Sequence, residues 1–160
     1  MDTSDFSKSK MLQLVSFVID KETFAIDVMK VKGVERIIET TAIPGMPDFL
    51  EGVINLRESI IPIINLRKKF SMPAKPHDKD TRIMLIELGN NLVVGMIVDA
   101  VGEVFPIEAN SLGAIPHLVL SKMDTRYIRG VARKDNRLII VLNLEKIFSD
   151  EEAEGIKAIT

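Results

Sequence analysis

One nineteen-residue stretch of the sequence occurs twice, as GVINLRESIIPIINLRKKF at residues 52–70 and as GVARKDNRLIIVLNLEKIF at residues 130–148. The copies align without a gap at an offset of 78, and seven of the nineteen positions are identical. Two hairpins built by the same physics would share apolar positions. Shared Gly, Asn and Lys residues at a fixed register are harder to obtain that way. We therefore infer a duplicated topology.

The segments around these copies predict further strands, because short apolar runs alternate with polar turns. A second echo supports the duplication, since Val28, Val31 and Val34 match Val98, Val101 and Val104 at an offset of 70. The predicted strands are residues 14–19, 24–28, 31–38, 52–56, 60–64, 82–88, 92–98, 101–107, 127–133 and 137–142. Pro62 lacks an N–H to donate, so its strand is expected at a sheet edge or a bulge.

The most polar internal stretch, residues 71–80 (SMPAKPHDKD), divides the two predicted halves. We expect one domain over residues 12–150, made of similar β subdomains at about 12–70 and 81–150, with exchange of strands between them left open. Residues 1–11 and 151–160 are expected to be flexible ends. Closely spaced short strands favour small barrels, and short helices are predicted only near residues 65–70, 143–149 and the tail, that is, near the linker and the C-terminus.

Composition and charge exclude several functional classes. The 160-residue chain has a net charge of −2 and no basic run, which argues against nucleic-acid binding. It contains no Cys, so disulfides and thiol catalysis are excluded. The start carries no apolar signal region, and the apolar runs are too short to span a membrane. We expect a soluble, cytoplasmic protein that does not insert into the membrane.

No constellation of an enzyme is apparent. His77 and His117 lack the partners of a metal motif and are interpreted as surface residues. Asp27 and Asp99 lie near the ends of corresponding strands, but a turn or capping role is the simpler interpretation for each. Neither catalytic residues nor a cofactor or metal site is predicted.

The two copies differ most in the hairpin turn, where Arg57 of the first copy aligns with Asp135 of the second. A duplicated scaffold that keeps its core and changes a loop leaves that loop free to acquire a contact. The rigid five-donor fork of Arg57 suits such a contact, although a solvated turn arginine fits the residue alone equally well.

The segment Gly52-Val53-Ile54-Asn55-Leu56-Arg57, followed by residues 60–66 and Arg67, resembles the signature of the CheW-like domain. The resemblance extends over about residues 12–148 and implies a mainly β fold of two SH3-like, five-stranded barrels packed together. Two positions depart from the family pattern. Glu58 stands where the family has Gly, which indicates a different turn, and Asn65 replaces Asp and is expected to make a similar helix cap. Gly33 falls where some members carry a Glu implicated in receptor contact.

The resemblance also implies a function: a non-enzymatic chemotaxis adaptor. Its partners would be the cytoplasmic hairpin tip of chemoreceptors and the regulatory domain of the histidine kinase CheA, at membrane-attached arrays. Carried over by position, Arg57, Val31, Val34 and Val98 are the candidate receptor-binding residues, and no kinase-contacting residue is assigned.

Three alternatives stay open at this stage. The first is a CheW-like domain of a larger signalling protein, although the Met1 start and the short acidic end favour a free-standing one. The others are a small β-barrel nucleic-acid binder, which would need a basic face with stacking aromatic residues, and an enzyme.

Overall fold

Ten strands in two five-stranded sheets form the framework of the protein, as seen in a computed structural model that describes residues 10–89, 91–115 and 123–160. His117, interpreted from the sequence as a surface residue, lies outside the described residues. The strands are β1 (Met11–Ile19), β2 (Glu22–Asp27), β3 (Val31–Arg36), β4 (Leu50–Leu56), β5 (Ser59–Asn65), β6 (Arg82–Glu87), β7 (Val93–Val98), β8 (Ala100–Glu108), β9 (Ile128–Lys134) and β10 (Arg137–Leu142). The mainly β prediction with two five-stranded units is confirmed.

Each sheet takes strands from both halves of the chain. The first sheet has the order β8-β1-β2-β10-β9, and the second has the order β3-β6-β7-β5-β4. Replacing every strand by its repeat equivalent, β1 by β6 through β5 by β10, converts one order into the other. The linker at residues 71–80 therefore does not separate the sheets, and the strand exchange left open by the sequence is the arrangement observed.

The duplicated hairpin has nearly the same bounds in both copies, since β4 shifted by 78 residues coincides with β9, and β5 shifted in the same way ends one residue beyond β10. In each sheet the last strand of the copy runs parallel to a strand from the other half: β5 to β7, and β10 to β2. β5 is thus an interior strand, and the edge position expected from Pro62 is wrong. Pro62 is tolerated because the pairing with β7 begins only at Ile63.

Isolated bridges connect the segments after β3 and β8 to the opposite edge of their own sheets. Thr41 exchanges two hydrogen bonds of 2.9 Å with Val53 of β4. Gly113 exchanges bonds of 2.8 and 3.2 Å with Val131 of β9. Because Val53 and Val131 are repeat equivalents, the two sheets curl back in the same way.

The main hydrophobic core lies between the sheets, with fully buried side chains from both, such as Phe17, Phe24, Ile64 and Met96. Two smaller hydrophobic clusters are each formed by the strands of one sheet. The cluster of the first sheet includes Phe105 and Ala132, and that of the second includes Ile54 and Ile83. Burial of large apolar side chains on both sides of each sheet accounts for the Ile- and Val-rich runs of the sequence.

Helices are few and short among the described residues. Helix α1 (Leu66–Lys69) begins at Asn65, whose side-chain oxygen accepts the N–H of Lys68 at 3.1 Å, so the expected cap is confirmed. In the second copy the equivalent turn is a 3-10 segment, Leu144–Lys146.

The C-terminal segment forms the helix expected near the tail, and it is not the flexible end expected at residues 151–160. Helix α2 (Asp150–Ala158) is stabilised by a capping box between Ser149 and Glu152, and it buries Ile156 completely in the main core. Charge alone made this segment resemble a solvated tail, because Ile156 and Ile159 are the only large apolar residues after Phe148. At the other end, only residues 10 and 11 of the predicted flexible region are described, and Met11 begins β1.

Candidate functional site

Arg57 lies at the tip of the β4–β5 hairpin and is exposed to solvent. The two turn residues, Arg57 and Glu58, have φ values of 50° and 70°, which identifies a type I′ turn. Such a turn matches the right-handed twist of the flanking strands, but it requires two non-glycine residues to adopt the left-handed backbone conformation. The tip therefore presents the Arg57 guanidinium away from the sheet, free of core packing.

Val31 and Val34 lie on β3, the edge strand of the second sheet at the side opposite β4. Val34 faces solvent with 45% of its surface exposed, whereas Val31 is half-buried against the main core. The fold thus places these two residues on one strand, and the hairpin tip with Arg57 extends from the opposite edge.

Val98 is completely buried, with 0% of its surface exposed. It ends β7 and packs in the main core, so it cannot touch a partner directly, and its assignment as a receptor-binding residue is corrected. The repeat supplies a better candidate, since the residue equivalent to Val34 is Val104 on the edge strand β8. Val104 is 55% exposed.

Two other exposed apolar side chains were not among the residues predicted from the sequence. Met29 lies in the 3-10 turn Val28–Lys30 between β2 and β3 and is 78% exposed. Met11 is 55% exposed, on β1 beside β8. The sequence could have indicated Val104 as a candidate, because Val104 matches Val34 at an offset of 70. No periodicity distinguishes Met11 and Met29 from core residues.

The hairpin tips carry a second equivalent pair of exposed apolar residues. Ile60 is 48% exposed next to the Arg57 turn, and Leu138 is 46% exposed next to the Asp135 turn. Each sheet therefore exposes one apolar side chain on an edge strand and one beside a hairpin tip. Recurrence at equivalent positions argues that these exposures belong to the scaffold itself.

A largely buried ion pair connects α1 with the segment between β7 and β8. Arg67 of α1 donates to both oxygens of Asp99, from Nη2 at 2.5 Å and from Nε at 3.3 Å. Its Nη1 donates to the carbonyl of Pro73 at 2.6 Å and to Asp20 at 3.3 Å. The hydrogen bonds that Arg67 donates to Asp99 raise the pKa of Arg67. Burial alone would raise the pKa of Asp99, but the bonds from Arg67 and from the Asp20 N–H hold it below the usual value.

The capping interpretation holds for Asp27, and Asp99 has a different role. The Asp27 carboxylate accepts the N–H of Met29 at 2.9 Å and begins the 3-10 turn. Asp99 accepts the N–H of Asp20 at 2.9 Å, and its main partner is Arg67.

A second ion pair anchors α2 to the first half of the chain. Lys69 lies 2.8 Å from Glu152, and its ammonium group is 4.5 Å from the centre of the Phe49 ring and within 5.6 Å of the Tyr127 and Phe148 rings. Burial opposes ionisation of Glu152, but the hydrogen bonds from Lys69 and from the Ser149 N–H together outweigh it and lower the pKa of that carboxyl. The ammonium group of Lys69 therefore lies among three aromatic rings and also forms the ion pair with Glu152.

The described part of the chain offers no group of three or more His, Asp or Glu side chains that could hold a metal ion. Within the same ranges, no helix combines the length and apolar character needed to cross a bilayer.

Comparison with known proteins gives the family. The sequence model of the CheW-like domain family matches residues 13–152, which is most of the chain. The chain belongs to the CheW-like family. It is 33% identical over 140 residues to the chemotaxis protein CheW of Klebsiella aerogenes, covering 88% of this chain and 83% of that protein. It is 31% identical over 150 residues to the chemotaxis protein CheW of Treponema pallidum, covering 92% and 88% of the two chains.

A solved CheW-like structure has the same fold. The crystal structure of the scaffolding protein TtCheW from Thermoanaerobacter tengcongensis superposes with a TM-score of 0.79 at 36% identity, covering 89% of this chain and 96% of that one. Membership of the CheW-like family favours the adaptor hypotheses over a nucleic-acid binder.

Proposed function

We propose that this protein is a non-enzymatic adaptor of chemotaxis signalling, which couples the cytoplasmic tip of chemoreceptors to the regulatory domain of the kinase CheA. Family membership and the relatives' names, chemotaxis and scaffolding proteins, support the role. The adaptor works in the cytoplasm, where receptors hold it in membrane-attached arrays.

The observation that carries the receptor-binding part is the exposure of Val34 on β3 together with the exposure of Arg57 on the hairpin tip. A receptor tip is an amphipathic helical hairpin, which binds through apolar anchors at successive turns and polar groups at the rim. Val34 and Met29 offer apolar contacts, with Val31 partly accessible beside them. Arg57 offers a cation that can form charged hydrogen bonds.

The kinase-binding part rests on the fold. The regulatory domain of CheA is itself CheW-like, so it presents the same kinds of edges and hairpin tips as this chain. Ile60 and Leu138, exposed at equivalent tips, favour contact between like domains because each tip has an apolar counterpart. No residue is assigned to that contact individually.

The test is a co-sedimentation experiment with a receptor cytoplasmic fragment and with CheA. We expect the protein to bind each partner separately and to bring both into one complex. Arg57→Ala should weaken receptor binding by about 1.5–3 kcal/mol, the range for a hydrogen bond to a charged group, and leave kinase binding intact. Asp135→Ala, at the equivalent turn, is the matched control and should bind both partners normally. Wild-type binding by Arg57→Ala would remove that residue from the site.

A further inference from the structure

Two arginines lie directly opposite each other at one end of the second sheet. Arg36 ends the edge strand β3, Arg82 begins β6, and the antiparallel register pairs them. Directly opposed residues project their side chains from the same face of a sheet, and two like charges in this arrangement are destabilising. Because the pair opposes folding, a role outside the fold is the expected reason for it.

The two arginines line a cavity of about 390 Å³ together with Ile37, Asp78, Lys79 and Thr81. Asp78 is the one carboxylate among these described residues. It already forms an ion pair with Lys75 at 3.4 Å and accepts the N–H of Asp80 at 2.8 Å. Within the part of the chain that the structure describes, the cations Arg36, Lys79 and Arg82 form no ion pair. The cavity therefore keeps an excess of positive charge.

Arg82 is held in position by the backbone around it. The residue is half-buried, and its Nη1 donates to the carbonyls of Lys79 and Thr81, each at 2.8 Å. A guanidinium fixed in this way loses little conformational entropy when its remaining N–H groups bind a ligand. Arg36 is exposed on the neighbouring strand. The planar donor groups of two arginines suit the two oxygens of a carboxylate.

The cavity adjoins the surface to which receptor binding is assigned above. Val34 and Arg36 are two residues apart on β3, after the bulge between Val31 and Gly33. Their side chains therefore share one face and are about 7 Å apart along the strand. Residues four apart on an α-helix are separated by about 6 Å along its axis. A helix that lies along β3 with an apolar side chain on Val34 thus brings the residue one turn away to the arginines.

We propose that Arg36 and Arg82 bind a carboxylate of the chemoreceptor tip, from an Asp or Glu one helical turn away from the apolar residue that contacts Val34. This contact rests on the proposed adaptor function and adds the chemistry of the partner at one point of the surface. A carboxylate between the two guanidinium groups relieves their mutual repulsion, and Lys79 adds to the attraction. The arginines therefore favour receptors that carry an acidic residue at this position.

Arg36→Glu separates the effect on folding from the effect on binding. The change replaces the like-charge pair with an ion pair to Arg82 across the strands, so the melting temperature should rise by up to about 4 °C. The affinity for the receptor fragment, measured by titration calorimetry, should nevertheless fall at least about tenfold, as expected when a charged hydrogen bond is lost. Arg137→Glu makes the same charge change on an exposed residue of β10 and should bind receptor like wild type. A lower melting temperature for Arg36→Glu would contradict the repulsion from which the site is inferred.

A charge swap identifies the partner group. Each Asp and Glu of the receptor tip is changed in turn to Lys, and at one position the Lys variant should restore binding to Arg36→Glu, because the two charges are in direct contact. Unchanged receptor affinity in Arg36→Glu, or the absence of any restoring position, would overturn the carboxylate contact and leave the adaptor function standing. Failure of the wild-type protein to bind the receptor fragment would overturn both.

Discussion

Arg67 and Asp99 form a two-point ion pair where the chain crosses from one sheet to the other. Asp99 connects β7 of the second sheet to β8 of the first, and the same arginine also reaches Asp20 in the β1–β2 turn. Both side chains are largely buried, with 10% of Arg67 and 16% of Asp99 exposed. One arginine therefore connects segments of both sheets with the linker.

Arg67→Met should lower the free energy of unfolding by about 3–5 kcal/mol, because removing one partner leaves Asp99 as an uncompensated buried charge. Urea unfolding followed by circular dichroism measures the loss. The matched control is Arg126→Ala, which breaks an exposed ion pair with Asp124 and should leave the urea midpoint nearly unchanged. If Arg67→Met lowers the free energy of unfolding no more than the control does, the ion pair does not stabilise the contact between the sheets.

Stability should decrease as the pH falls into the acidic range. The pKa values of Asp99 and Glu152 are lower in the folded protein than their usual values, so the unfolded chain binds protons more readily. Their contribution is fully present above the unfolded pKa values of about 4 and is lost as the pH falls through the lower folded values. Urea unfolding at a series of pH values should show a flatter profile for Asp99→Asn. Asp135→Asn, in an exposed turn, should keep the wild-type profile, and an unchanged slope in Asp99→Asn would refute the assignment.

Glu58→Gly should stabilise the protein by about 0.5–1 kcal/mol. Glu58 has a φ of 70°, where a side chain with a Cβ is strained and glycine is not. The gain is less than the full strain because glycine also loses more backbone entropy on folding. Asn136→Gly is the matched control at the equivalent turn, with a φ of 62°, and it should gain less because Asn tolerates this conformation. Thermal unfolding compares the two, and a destabilised Glu58→Gly would mean that the side chain makes a contact outweighing the strain.

The sequence predicted the repeat and the strands well, because apolar alternation and turn residues are local signals. The duplicated hairpin of residues 50–65 recurs at residues 128–142, within one residue of the offset of 78. Exchange of strands between the halves could not be read from local patterns, since β1 pairs with β8 about 90 residues away. The Arg67–Asp99 pair depends on that exchange and was missed for the same reason.

The candidate site was only partly predictable. The position of Arg57 in a turn indicated that its side chain is exposed. For β3 and β7, by contrast, the strand pattern does not show which side chains face the core. Val34 and Val98 look alike in the sequence, yet one is 45% exposed and the other is fully buried. The difference arises because β3 is an edge strand, whereas β7 has neighbours on both sides.

Val34 and Val98 should respond in opposite ways to truncation. Val34→Ala should weaken binding of the receptor fragment without changing the melting temperature, because its side chain is exposed. Val98→Ala should cost about 2 kcal/mol of stability, from two buried methyl groups and the cavity they leave, with receptor affinity unchanged in the folded fraction. Binding isotherms at a temperature where both variants are folded measure the affinities. Reduced affinity in Val98→Ala alone would return that residue to the site.

The adaptor role is tested most directly by the autophosphorylation rate of CheA in the presence and absence of receptor fragment and of this protein. The protein alone is expected neither to bind nor to hydrolyse ATP. It should leave the rate unchanged with kinase alone and raise the rate when receptor is present. Arg57→Ala should raise it less at the same concentrations, and Asp135→Ala should match wild type. Activation of the kinase without receptor, or ATP turnover by the purified protein, would contradict the adaptor role.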